Sequence, residues 1–91
     1  MLKCIIVDDE RNAREALQHI LEKYFDQKIK ILAQAQCVAE AVDLIKLHQP
    51  DLVFLDVEMP NEPGFKLFNY FDDYNFNIKF SNSFCEKESG E

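Results

Sequence analysis

The chain has 91 residues, of which 10 are lysine or arginine and 17 aspartate or glutamate, for a formal charge of −7. A domain this small buries only about 60–65% of the surface its unfolded chain exposes, so it holds one core and little else. The acidic balance argues against direct contact with nucleic acid or an anionic membrane and suits a basic partner or a metal cation.

No run approaches the ~18 consecutive apolar residues of a membrane span, and no charged-then-apolar signal segment opens the chain. Leu2–Val7 is a short apolar run that reads as a first strand, and it is followed directly by Asp8, Asp9 and Glu10. Residues 10–25 form a first helix, with Ala13, Ala16, Leu17, Ile20, Leu21 and Tyr24 recurring on one face. The acids at its start complement the helix dipole, and Glu10 reads as a first-turn acid. Lys28–Gln36 is a second strand in which Ile29, Ile31, Ala33 and Ala35 alternate against polar residues, a pattern that suits a place near the sheet edge. A second helix runs from about Val38 to His48, with Val38, Ala41, Val42 and Ile45 inward and Leu44 at the margin. Pro50 and Asp51 break the chain before a third strand, Leu52–Asp56. Residues 57–64 contain Pro60, Pro63 and Gly64 and form a loop of fixed shape. A third helix over about Phe65–Phe71 and a poor fourth strand over Phe76–Ser81 complete the periodic text. Residues 81–91 read as a polar, disordered tail.

Strands separated by helices of this length imply βαβ units and a parallel sheet. Right-handed crossovers place every strand's carboxyl end on one edge, and in a doubly wound sheet the site lies there, where strand order reverses. With an order of 2-1-3-4 that point falls between strands one and three, which end in Asp8-Asp9 and Asp56. Three carboxylates then converge with no lysine or arginine at the same strand ends. Two unit charges about 4 Å apart repel by about 4 kcal/mol at an effective dielectric near 20. Either protons remain on the acids or a hard dication neutralises them. The second case makes Asp56 a nucleophilic aspartate in a divalent-metal site.

Other residues read as structural. Cys4, Cys37 and Cys85 are an odd set without motif spacing, hence reduced thiols of a cytoplasmic protein and inert small hydrophobes. His19 and His48 stand isolated on helices with no second ligand at metal spacing, and Lys66 faces solvent. Phe65, Phe68, Phe71 and Phe76 belong to the core.

The text Ile5-Ile6-Val7-Asp8-Asp9-Glu10, then Gln49-Pro50-Asp51-Leu52-Val53-Phe54-Leu55-Asp56-Val57-Glu58-Met59-Pro60, then Gly64-Phe65, resembles the receiver domain of two-component response regulators. The wording around Glu58-Met59-Pro60 and Gly64-Phe65 is most similar to the LytTR branch, whose output domains bind DNA. The resemblance implies a flavodoxin-like, three-layer α/β/α fold. It also implies phosphoryl transfer from a histidine kinase to Asp56, Mg²⁺ held by Asp8, Asp9 and Asp56, and a main-chain carbonyl ligand from Glu58. Such a domain is a phosphoacceptor in a phosphorelay, not an enzyme in the ordinary sense.

The likeness runs to about residue 78. A switch Thr/Ser position then falls at Asn82, or at Ser81 or Ser83 if the register slips, and Lys87 does not stand where the family places its strand-end lysine. These departures imply a truncated receiver over residues 1–80, an incomplete sheet without its output domain, and impaired phosphorylation. They leave open a phosphorylation-independent pseudo-receiver that forms a homodimer through its exposed edge. A Mg²⁺-dependent phosphatase with an aspartate nucleophile is a further alternative, but it wants an aspartate and a hydroxyl residue where Glu58 and Pro60 stand.

Overall fold

A computed structural model describes residues 1–56, 64–70 and 76–81. In chain order the elements are β1 (Leu2–Val7), α1 (Arg11–Tyr24), β2 (Ile29–Ala35), α2 (Val38–His48), β3 (Leu52–Asp56), a 3₁₀ helix (Gly64–Tyr70) and β4 (Asn77–Ser81). The four strands form one sheet in the order β2-β1-β3-β4, and every neighbouring pair is parallel. This is the doubly wound α/β arrangement, with its reversal between β1 and β3.

Strand alternation sorts the side chains onto two faces. Ile5, Val7, Val53 and Leu55 pack with Val38, Ala41, Val42 and Ile45 of α2, and with Leu67 and Phe76. All four residues expected on the inward face of α2 are buried, and Leu44 packs at the margin. On the other face Cys4, Ile6 and Leu21 are buried, with Leu17, Ile29, Ile31, Leu52 and Phe54 partly buried around them.

Helix α1 departs from expectation. Leu21 is buried, but Ala16 is exposed, Ile20 is 47% exposed and Tyr24 67%. The sheet meets only one flank of α1, so the buried stripe is narrower than the apolar stripe in the sequence.

Strand β2 lies at the sheet edge as its text implied, but its alternation does not stay on one face. Cys4 pairs with Ile31 and Ile5 with Ala33, so Leu32 is an extra residue in a bulge. The bulge reverses the facing of the second half of the strand. Ile29 and Ile31 pack on the α1 side, whereas Ala33 and Ala35 join the α2 side.

The third helix is a 3₁₀ helix, beginning at Gly64 and ending at Tyr70. Lys66, His19 and His48 are exposed as expected, and Phe76 is buried. The side chains of Phe65, Phe68 and Phe71 lie outside the described residues, as do residues 57–63 of the stretch expected to be a loop, Cys85, Lys87 and the rest of residues 82–91.

Two local devices set the approach to β3. Helix α2 ends on Gln49 at φ 50° and ψ 63°, whose N–H donates to the Ile45 carbonyl at 2.8 Å. Pro50 then prevents continuation. Asp51 ties three strands together at their amino ends. Its N–H donates to the Lys3 carbonyl, its Oδ2 accepts from the Lys3 N–H, and its carbonyl accepts from Asn77 N–H. Among the described residues no helix is long and apolar enough to cross a membrane.

Candidate functional site: an acidic pocket at the carboxyl edge of the sheet

Strand register brings the acids together. Val7 of β1 pairs with Leu55 of β3, so the next residue on each strand, Asp8 and Asp56, lies level with the other. Adjacent strands are about 4.8 Å apart. Asp9 follows on the turn into α1, and one carboxylate oxygen from each of Asp8, Asp9 and Asp56 lies within 4.8 Å of the other two. Asp8 and Asp56 are 4% and 1% exposed, so two of the three acids are taken almost wholly out of water. Each of these three sequence candidates is therefore in the cluster. Glu58 lies outside the described residues.

Asp8 is held on several sides. Its N–H donates to the Ala35 carbonyl at 3.0 Å, and its Oδ1 accepts from the Glu10 N–H at 3.0 Å. Glu10 thus stands at the amino cap of α1, with a main-chain and not a side-chain part in the capping. Burial pushes the Asp8 carboxyl up to about 6, and the charge of Asp56, a hydrogen bond shared with Asp56 and the charge of Asp9 push in the same direction. The Glu10 N–H opposes this by favouring the ionised form. A hydrogen bond between two carboxyl groups requires a proton on one of them. Without a cation, protonation of Asp8 relieves the repulsion only below about pH 6.

One participant was not anticipated. Arg14 reaches down from α1, and its Nη1 donates to the Asp8 carbonyl at 2.7 Å. A guanidinium therefore does stand beside these strand ends, contrary to the reading of the strands alone. The signal in the sequence was spacing: Arg14 lies one helical turn before Gln18 and three residues before the inward Leu17, on the flank of α1 that turns toward the strand ends.

Cys4 is fully buried and burial lifts its thiol to about 11, which makes it unreactive. Cys37 is half-buried at the start of α2. Of the three positions considered for a hydroxyl partner, Ser81 pairs in register with Asp56 on the neighbouring strand. Asn82 and Ser83 lie outside the described residues.

Residues 4–80 match the response regulator receiver domain. The sensory transduction protein LytT of Bacillus anthracis is 38% identical over 69 residues, which are 76% of this chain and 27% of that protein. The transcriptional regulatory protein HptR of Staphylococcus aureus is 35% identical over 88 residues, 97% of this chain and 34% of the relative. The chain thus spans about a third or less of the length of these curated relatives. The response regulator domain of Thermotoga maritima CheB superposes with a TM-score of 0.80 at 24% identity, over 91% of this chain and 61% of that one. That likeness supports the flavodoxin-like fold. With the parallel order β2-β1-β3-β4 and the matched stretch covering most of its length, the chain belongs to the response regulator receiver family, the signalling module of two-component systems.

Proposed function

We propose that the chain accepts a phosphoryl group on Asp56 from the phosphohistidine of a sensor histidine kinase, in a pocket that binds Mg²⁺ through Asp8, Asp9 and Asp56. The observation that carries this reading is the convergence of three carboxylates within 4.8 Å at the carboxyl edge of a parallel sheet. The donor set is all oxygen and anionic, which suits a hard dication. Asp8, Asp9 and Asp56, with the main-chain carbonyl of Glu58, would hold the ion, which usually takes only one or two carboxylates directly and keeps several waters. When bound, the ion neutralises the acids and the phosphoryl oxygens so that anion can approach anion.

The chain's residues do the rest. Asp56, at the end of a central strand, has a backbone fixed by β1 on one side and β4 on the other. Its carboxylate oxygen attacks phosphorus in line, the P–N bond to the imidazole breaks, and the ring leaves as a neutral base once its nitrogens carry a single proton. The product is an acyl phosphate on Asp56. Beside a dication Asp8 would favour its ionised form, the proton passing to solvent. An aspartate-nucleophile phosphatase leaves Asp8 and Asp9 without a role, whereas here both stand in the pocket.

Intact-mass measurement after incubation with a phosphorylated kinase domain tests the proposal. The expected result is slow addition of one phosphoryl group, dependent on Mg²⁺ and absent in Asp56→Asn. An adduct that persists in Asp56→Asn contradicts it, and so does the absence of any adduct from the wild-type chain.

A further inference from the structure

We infer that Arg14 is a positioning residue for this pocket: by gripping the main-chain carbonyl of Asp8, it holds the turn from β1 into α1 in the shape that carries Asp8 and Asp9 to Asp56. The role rests on the receiver reading above and extends it to a residue outside the carboxylate set.

Three anchors fix Asp8, and they come from different directions. The end of β2 takes its N–H, the Glu10 N–H takes Oδ1, and the Arg14 guanidinium takes its carbonyl. The first two are contacts to main chain that any residues there would make. Arg14 supplies the third from a side chain. It also closes the turn from its own backbone, since its N–H donates to the Glu10 carbonyl at 3.1 Å. Residues 8–14 are therefore tied into a loop at both ends, and Asp9 sits within it. The Arg14 side chain is partly buried, and together with Gln34, Gln36 and Glu40 it lines a polar cleft of about 310 Å³ beside the strand ends. A hydrogen bond from a charged donor to a partly buried carbonyl is stronger than a neutral one and more directional than a solvated charge.

Electrostatics make the role testable, because its sign opposes that of positioning. A fixed positive charge near the pocket repels a dication. If Arg14 acted through charge alone, removing it would tighten cation binding. If it acts by holding the turn, removing it loosens the ligands and weakens binding. Groups that orient metal ligands typically contribute about 10–100-fold in affinity.

The test uses the full chain and Mn²⁺ alone, with the free ion followed by electron paramagnetic resonance. Arg14→Met keeps the apolar stem and helix propensity while removing the donors. Arg14→Lys keeps the charge and one donor group. Melting curves in EDTA set the temperature at which each variant is folded. The expected result is Mn²⁺ affinity about tenfold or more lower in Arg14→Met, with most of the loss recovered in Arg14→Lys. Binding by Arg14→Met as tight as wild type, or tighter, overturns the role, as does a loss in Arg14→Lys equal to that in Arg14→Met. Failure of the wild-type chain to bind Mn²⁺ at millimolar concentration removes the receiver reading itself, a separate result.

Discussion

The two faces of the sheet are built to different standards. Among the described residues, eleven buried side chains form one continuous cluster on the α2 side, whereas on the α1 side three are surrounded by partly buried ones. A groove of about 320 Å³ lined by Leu21, Ile29 and Ile31 runs beside α1, and Ile20 stands 47% exposed. By strand alternation Asp8 and Asp56 belong to the α1 side, in the rows of Cys4, Ile6 and Phe54. Cohesion and chemistry are thus divided: the α2 face anchors the strands, while the sparser face carries the acids whose mutual repulsion costs stability.

The largest expected effect comes from the anchored face. Leu55→Ala removes a fully buried side chain between β1 and β4 and is expected to cost about 3–5 kcal/mol, enough to unfold a domain of this size. Phe54→Ala, one residue away on the other face and only partly buried, is expected to cost about 1–2 kcal/mol, below the range for a fully buried phenylalanine. Urea unfolding of the two variants measures the difference, and equal losses would break the contrast between the faces.

The repulsion on the α1 side comes next. The folded value of Asp8, about 6, lies above its ordinary 3.8, so protonation favours the fold. This contribution is fully present below about pH 4 and is lost as pH rises through 6. Melting in EDTA should therefore move to lower temperature from pH 4 to 7. Mg²⁺ should reverse the loss at pH 7 by mass action, and Asp56→Asn should weaken the dependence only in part, since burial of Asp8 is the larger cause. A metal-free protein that gains stability over this range would show that Asp8 is not the group responsible.

Smaller effects sharpen the picture at the amino ends of the strands and at the end of α2. Asp51→Ala deletes the Oδ2 acceptor of the Lys3 N–H and is expected to cost about 1 kcal/mol, since that contact is exposed and the amide can turn to water. Gln49→Gly relieves a left-handed backbone at the end of α2 and is expected to gain up to about 1 kcal/mol, part of it offset by the freer unfolded chain. Chemical denaturation resolves both.

How far the sequence could be read follows from the same division. Helix α2 lies across a broad apolar floor, so all four of its inward residues were legible from spacing. Helix α1 has six apolar positions at helical spacing, but the floor beneath it ends early and Ala16, Ile20 and Tyr24 stay exposed. The Leu32 bulge left one mark, an apolar residue where the alternation calls for a polar one, but that exception alone does not say that a residue is skipped in the pairing. The three acids were legible because two strands of a parallel pair end on them, and register then does the work. Arg14 was hidden by its position on a helix, where reach depends on packing. The roles assigned to Glu58, Asn82 and Ser83 rest on residues outside those described.

The most direct measurement of the shared pocket is a crystal of the chain soaked in Mn²⁺, with anomalous scattering recorded at the manganese edge. One peak is expected, bounded by the carboxylates of Asp8, Asp9 and Asp56. A map with no peak among those three side chains, or with the ion bound only at surface acids elsewhere, would contradict it.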